Sequence, residues 1–397
     1  MLDLDGELRG LFAPMSPRAF FARHWERRPL LIRGNADKFA HLAFSAEALY
    51  RIGRDPAESQ VCKAWVDMRR EIAIDPRSIA RHYRAGRSIC MRDVQASHTP
   101  LRRVVAAMKA TLGLAHEIGF AGYLSPRQQG IPLHCDRHDV FILQIEGTKE
   151  WRYARAPSVA FPLTATQPAN PASMSRFVAM HAREAAAIPA PRDLLRTVLR
   201  PGDLLYLPGG TFHATLAAQH SLSLTLGCTP RPVFAMIGQA IQRAFQHDPD
   251  WRRNLPPAAP GDATSARAVE ELLRARIRDL SRWLASADVE TFASVWRSDV
   301  ADFAWEPPVA ARAALEPATP LVRAWPVTAG GRRTGPIEVV AANRVFTVPR
   351  RHHRLVDGLA AHAQFTPRDA HHWGRCSWPT ARAFLDLMLH HGIVEHA

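Results

Sequence analysis

Lysine is nearly missing from this chain. Of its 51 basic side chains only four are lysines, Lys38, Lys63, Lys109 and Lys149, and the rest are arginines. Cysteine is also sparse. The five, at positions 62, 90, 135, 228 and 376, are odd in number and form no Cys-x-x-Cys pair. That excludes a disulfide framework and a thiolate zinc ribbon, and predicts a reduced, cytoplasmic protein. No apolar run approaches the roughly 18 residues of a membrane helix, so no membrane partner is expected. The first residues carry acids (Asp3, Asp5, Glu7) where a secretory signal carries bases, and no signal is read there.

What is present is a formal charge of +14 on 397 residues, 47% of them hydrophobic, enough for two or three domains with a sizeable core. Such a charge predicts ribosome or RNA association. The competing reading is compositional, because alanine and proline are abundant alongside arginine and the basic residues are scattered rather than blocked. Both readings stand at the level of sequence.

The chemistry concentrates between Gly130 and Trp151. His134 and Asp136 are two apart on an apolar, strand-like stretch, and on an extended chain such residues share a face. They supply two legs of a 2-His-1-carboxylate triad, the ligand set of non-heme Fe(II) oxygenases. Cys135 alternates with them and should face away. The third leg is read at His213, which follows the turn signals Pro201-Gly202 and Pro208-Gly209-Gly210 around a short apolar strand. Asp203 reads as a turn former. His138 shares the parity of the pair and is either a further polar group of the site or a residue at its mouth. The doublets His352-His353, His371-His372 and His390-His391 are either surface histidines or zinc ligands, and no cysteine supports the second.

Around this stretch the pattern predicts helices over 18–25, 43–52, 76–84 and 101–112, and strands over 29–32 and 88–94. Six further strands, at 118–124, 131–136, 138–145, 149–154, 197–206 and 220–228, read as a barrel, with a turn at Glu146-Gly147. Residues 155–190 are Ala/Pro-rich and poorly periodic, a long insertion expected to cover the mouth of the site. Beyond Pro232 the periodicity is helical, over 233–246, 264–285 and 288–297, and the second helix has a wide apolar face. A Pro/Ala linker occupies 305–320. The tail shows strands at 337–340 and 344–348 and helices at 355–363 and 380–391.

Three segments resemble, in order, motifs of the JmjC/cupin-type 2-oxoglutarate oxygenases and, within them, the ribosomal oxygenase group: HWERRPLLIRG (24–34), YLSPRQQGIPLHCDRHDVFILQIEGTKEWRY (123–153) and RPGDLLYLPGGTFH (200–213). The resemblance spans roughly residues 16–228. It implies an α+β fold, a double-stranded β-helix (cupin/JmjC jelly roll) over 1–230. A helical dimerisation region over 231–304 follows, then the 305–320 linker and a winged-helix-like module over 321–397. It implies that His134, Asp136 and His213 hold Fe(II), that Lys149 and Tyr123 bind the distal carboxylate of 2-oxoglutarate, and that Ser223 or Thr225 sits near this cosubstrate. Two open metal positions would take the ketoacid end and the third O2. The implied partners are a second copy of the chain, as a homodimer, and a protein or peptide substrate.

The implied reaction is hydroxylation at the β-carbon of an arginine or histidine in a ribosomal protein, with N-methyl demethylation using the same oxidant. Two features stand apart from that implication. A basic enzyme attracts a basic protein only through local acids, of which Asp139, Glu146 and Glu150 are the candidates. The loop YLSPRQQG also lacks the small-residue pattern expected beside the site. The alternatives are a hydroxylase of a ribosomally made precursor peptide and, in another class, a non-catalytic cupin/winged-helix binding protein.

Overall fold

A computed structural model describes residues 4–57, 59–66, 70–112, 117–181, 188–229, 232–257, 263–289, 292, 315–323, 327–330, 337–341, 344–390 and 393–397. Its N-terminal part opens with helices α1 (Leu4–Phe12) and α2 (Pro17–Arg23), the latter begun by Ser16, whose side chain accepts from the Ala19 amide, and by Pro17 in the first turn. Strand β1 (Leu30–Ile32) and helix α3 (Ala46–Arg54) follow. Next come strands β2 (Cys62–Val66) and β3 (Arg70–Ile74), helix α4 (Ile79–Arg84), β4 (Ser88–Arg92) and α5 (Thr99–Leu112). The remaining strands of this part are β5 (Glu117–Ser125), β6 (Gly130–Cys135), β7 (Asp139–Tyr153), β8 (Leu195–Leu199), β9 (Leu204–Leu207) and β10 (Phe212–Thr229). Among the described residues these ten strands form one antiparallel sheet, ordered β1-β9-β7-β10-β5-β4-β2-β3, with β6 paired to β10 and β8 to β7.

The sheet becomes a barrel through its two longest strands. Residues 139–147 of β7 pair with 221–228 of β10, and residues 149–153 pair with 213–217 of the same strand. The register shifts between Ala217 and Ser221, so each strand runs through both walls. Val140 and Ile142 from one wall and Trp151 and Tyr153 from the other share one buried cluster with Leu199, Leu205 and Leu207. The turn expected at Glu146-Gly147 is therefore a kink inside a single strand. Gly147 has φ +63, and a Cβ there would lie 1.7 Å from the His220 carbonyl oxygen, so only glycine fits. The strand expected over 197–206 divides instead into β8 and β9, because the Asp203 amide bonds the Arg200 carbonyl and Gly202 sits at φ +90. Helix α1 and the β2–β3 hairpin have no counterpart in the sequence reading.

Alternation along β10 separates two environments. Leu222, Leu224 and Leu226 face outward into the main core with Phe12 and Phe20 of the first two helices, Leu49 of α3 and Val104 and Met108 of α5. Ser223 and Thr225 face the barrel interior. The long insertion packs behind β6 rather than over the mouth: Val159 and Phe177, the latter on helix α6 (Pro171–Met180), share a buried cluster with Cys135 and Phe212. Cys135 thus does face away from its two neighbours.

Beyond the barrel stand helices α7 (Val233–Phe245), α8 (Pro249–Arg252) and α9 (Ala263–Ser286). None of the 24 residues of α9 is buried, and Ile277 is 61% exposed. The helix expected over 288–297 and the linker residues 305–314 fall almost wholly outside the described residues. The tail holds sheets β12 (Val327–Gly330), β13 (Ile337–Ala341), β14 (Arg344–Val348) and β11 (Leu321–Arg323) flanked by β15 (Gln364–Phe365) and β16 (Val394–His396). Helices α10 (His353–Ala361), α11 (Pro367–Gly374) and α12 (Trp378–His390) share their core. No helix of the described residues is long and apolar enough to cross a membrane.

Because Leu224 backs the strand that carries the site, its truncation should be felt globally. Leu224→Ala is expected to lower unfolding free energy by about 2–5 kcal/mol in denaturant titrations. The same change at Leu216, which is 37% exposed, should cost less than about 1 kcal/mol. Equal losses at both positions would contradict this assignment of faces.

Candidate active site

Register brings the two distant histidines together. In the β6–β10 ladder His213 is the direct partner of His134, and their rings lie 4.1 Å apart between centroids. Asp136, just past the end of β6, points to the same place. Its Oδ2 is 3.7 Å from His134 Nε2 and 3.6 Å from His213 Nε2. All three donor atoms lie within 4.8 Å of one another, and among the described residues they form the one such group. The doublets His352-His353 and His371-His372 join none, and His391 of the third lies outside the described residues.

Backbone carbonyls fix which nitrogen each ring offers. His134 Nδ1 lies 2.8 Å from the Pro132 oxygen and His213 Nδ1 2.9 Å from the Thr211 oxygen. A carbonyl only accepts, so both Nδ1 atoms carry the proton and both Nε2 lone pairs face the centre. Burial pushes the His213 imidazole down to about 4, with His134 adding to the effect. It is therefore neutral and ready to bind a metal. Burial raises the Asp136 carboxyl, but the three imidazoles of His134, His138 and His213 outweigh it and hold the group below its usual value. Two imidazole Nε2 atoms and a carboxylate converging from one side suit a divalent cation and leave the opposite side of that cation open.

Two rows further along β7 lies the second element. Lys149 is 1% exposed, and its ammonium donates to Ser125 Oγ at 3.0 Å. Ser125 in turn accepts from Ser88 at 3.0 Å. The Tyr123 ring centroid is 5.8 Å from Lys149 Nζ. Among the described residues no carboxylate pairs with this ammonium. A buried cation without a counter-charge is costly, and burial lowers its pKa to about 8, partly opposed by Cys90. The arrangement suits the carboxylate of a ligand reaching down from the metal site. Ser223 is the register partner of Tyr123 and Gln144, and Thr225 of Ala121 and Ile142. Both therefore line the interior, with Thr225 one pleat farther from Lys149. Sequence reading missed Ser125, although its i+2 relation to Tyr123 on β5 was available, and Ser88, which only the β4–β5 pairing brings in.

The acids expected to serve the cleft are occupied elsewhere. Asp139 accepts from the Tyr206 hydroxyl at 2.6 Å. Glu146 accepts from the Ala46 amide at 2.8 Å and meets His220 at 3.0 Å. Glu150 binds Arg152 and Arg196. Asp203 closes its own turn by accepting from the Arg200 amide at 3.0 Å and also binds Arg33. His138 stays near the site, and its ring would lie 3.3 Å from a Cβ at Gly227.

Residues 96–236 match the family model for the JmjC domain. Over that stretch the chain is similar to JmjC domains. Its relatives include ribosomal oxygenase 1 of Bos taurus, 30% identical over 265 residues that cover 62% of this chain and 37% of that protein. Another is the bifunctional lysine-specific demethylase and histidyl-hydroxylase NO66 of Dictyostelium discoideum, 26% identical over 259 residues, covering 62% and 47% respectively. The chain thus spans less than half the length of these curated relatives. Among solved structures, Escherichia coli YcfD superposes with a TM-score of 0.58 at 19% identity, covering 96% of this chain and 98% of that one. A YcfD structure described as a ribosomal oxygenase with cobalt and 2-oxoglutarate gives 0.56 at 18% identity, with the same coverage. These likenesses establish a cupin-type JmjC fold with helices around a large antiparallel sheet.

The site carries a pH signature through Lys149. A carboxylate ligand needs the ammonium, so affinity for a dicarboxylate should fall about tenfold per pH unit above about 8. Stability without ligand should move the other way. The folded-state pKa lies below the unfolded one, so the unfolded chain binds more protons between about 8 and 10.5 and Lys149 makes the fold more stable as pH rises through that window. Calorimetric titrations and thermal melts from pH 7 to 10 read both trends. Lys149→Met should abolish them, and a wild-type affinity flat across pH 8 would exclude Lys149 as the ligand's counter-charge.

Proposed function

We propose that this protein is an Fe(II)- and 2-oxoglutarate-dependent oxygenase that hydroxylates an amino-acid side chain of a protein substrate, taken here to be a ribosomal protein. The observation that carries this reading is the pairing of the His134, Asp136 and His213 donor set with the uncompensated buried ammonium of Lys149. A ketoacid that is also a second carboxylate fits both ends, whereas a binding module has no need of either. When bound, iron and 2-oxoglutarate with O2 supply the oxidant, giving succinate and CO2 as one oxygen atom enters a C–H bond.

In this reading the chain's own residues hold and orient. The Nδ1–H bonds to Pro132 and Thr211 keep both imidazoles aimed inward. Asp136 contributes the negative charge that retains a dication. Lys149 neutralises the distal carboxylate, with Tyr123 and Ser125 beside it, and Ser223 and Thr225 line the cosubstrate's path. Interior apolar groups such as Ile142 and Leu207 keep water from this end of the pocket. The histidyl-hydroxylase in the name of one relative supports a histidine-type target, while an arginine target and oxidation at the β-carbon rest on the motif resemblance alone.

The same reading divides the chain into a catalytic part over 1–230, a dimerisation region over 231–304, a linker over 305–320 and a winged-helix-like module over 321–397. The order α10, β15, α11, α12, β16, with β11 as the added strand, supports the last of these. Exposed Val233, Phe234 and Ile237 on α7 and Leu273, Ile277 and Leu284 on α9 support a homodimer in which these faces cover one another.

Catalysis is tested by succinate formation with Fe(II), 2-oxoglutarate and O2, which should vanish in His134→Ala and Asp136→Ala. Intact-mass measurement of ribosomal proteins should show one species lighter by 16 Da in a deletion strain. Activity retained by both variants ends the enzyme reading, and an unaltered ribosomal set redirects the substrate to a precursor peptide. Dimerisation is read separately by light scattering. Ile277→Glu combined with Leu273→Glu should give a monomer, and an unchanged mass would move the interface off α9.

A further inference from the structure

Trp151 is the interior residue that the reading above leaves without a task. It sits on β7 between Lys149 and Tyr153, paired with Thr215 of β10. Lys149 pairs with Ala217 and Tyr153 with His213 in the same ladder. The Trp151 row therefore lies midway between the row of the metal-site histidine and the row of the buried ammonium. The indole stacks on the His213 ring, with centroids 5.7 Å apart and planes 22° from parallel. The side chain is buried, yet its Nε1–H has no hydrogen-bond partner.

A buried indole N–H without an acceptor costs free energy comparable to a lost hydrogen bond, and the great majority of such groups are satisfied. Val140, Ile142, Leu199, Leu205 and Leu207 surround it and cannot accept. The hydroxyls of its register partners Thr215 and Thr197 accept from the Ile131 amide and from Arg33, and neither accepts from the indole. The space between His213 and Lys149 is where an acceptor for it can enter.

We infer that Trp151 is a positioning residue for the cosubstrate, its indole N–H donating to the carboxylate at the ketoacid end of 2-oxoglutarate. This rests on the cosubstrate reading of the site and adds to it a donor that separates a ketoacid from a plain dicarboxylate. Stacking on His213 keeps the indole at the metal end. Lys149 already serves the other carboxylate. The bond is charge-assisted because the acceptor is ionised, so it is stronger than a neutral pair.

The experiment compares wild type with Trp151→Phe, which keeps an aromatic ring against His213 and removes only the donor. Metal-free samples of both proteins are titrated calorimetrically under argon with Co(II), and Co(II)-loaded samples with 2-oxoglutarate and with succinate. The expected result is about a tenfold loss of 2-oxoglutarate affinity. Co(II) and succinate affinities should stay within about twofold. Trp151→His, which restores a ring N–H, should recover part of the loss.

Unchanged 2-oxoglutarate affinity in Trp151→Phe overturns the inference. Equal losses for 2-oxoglutarate and succinate also overturn it, since they point to the Lys149 end or to a general packing defect. A wild type that binds Co(II) but not 2-oxoglutarate removes the cosubstrate reading and this inference together. Binding intact in wild type and unaltered in the variant removes this inference alone.

Discussion

One register holds the site together. His213 is opposite His134 because β10 meets β6 in one alignment and not its neighbour. The side-chain period of a strand is two, so a slip of one residue would turn His213 outward and bring Phe212 in. What resists the slip is distributed along the strand. Leu222, Leu224 and Leu226 are buried on the outer face, and the same slip would drive serine and threonine into the helical core. Phe212 is likewise pinned against Phe177 from behind. The metal-site geometry is therefore a consequence of apolar packing at Phe212 next to the histidine and at Leu222, Leu224 and Leu226 farther along the same strand.

The kink at Gly147 gives the barrel its second constraint. It carries one strand from wall to wall, so Lys149 can approach Ser125 of the opposite wall while Trp151 and Tyr153 continue toward His213. The distance between the cation and the donor set is set by the number of strand residues after the kink. An insertion between Gly147 and Tyr153 would change side-chain parity as well as length. This couples the preferred length of a ligand to the fold itself, which loop-borne residues could not do.

Much of this was legible in the residues. The His-x-Asp pair, its strand and the turn-flanked His213 are local patterns with a period, and they predicted the joining of positions nearly eighty residues apart. Lys149 was legible through its motif but its isolation was not, since the absence of a nearby acid is a property of packing. Glu146-Gly147 reads as a turn because glycine permits positive φ in a turn and in a kinked strand alike, and only the pairing of both halves with β10 decides between them. The insertion over 155–190 was misplaced for a similar reason. Its helix is short, and Phe177 gives no sign in sequence of which side of β6 it covers.

The acids beside the motif show a different limit of sequence. Asp139, Glu146 and Glu150 are near the catalytic motif in sequence, which made them candidates for attracting a basic substrate. On a strand, however, neighbours in sequence alternate between faces, and each of these acids is held by a partner that satisfies it: Tyr206, the Ala46 amide with His220, and the Arg152–Arg196 pair. None of the three is left over to steer a polypeptide. Steering needs unpaired charge facing solvent, and these three side chains do not supply it. Gly119 and Gly227 are register partners beside His138, and a Cβ on either would meet a side chain at 3.3 Å or less. His138 lies over Gly227 and Gln95 with Asp93 over Gly119, so the two missing Cβ atoms are what let these side chains lie against the barrel wall.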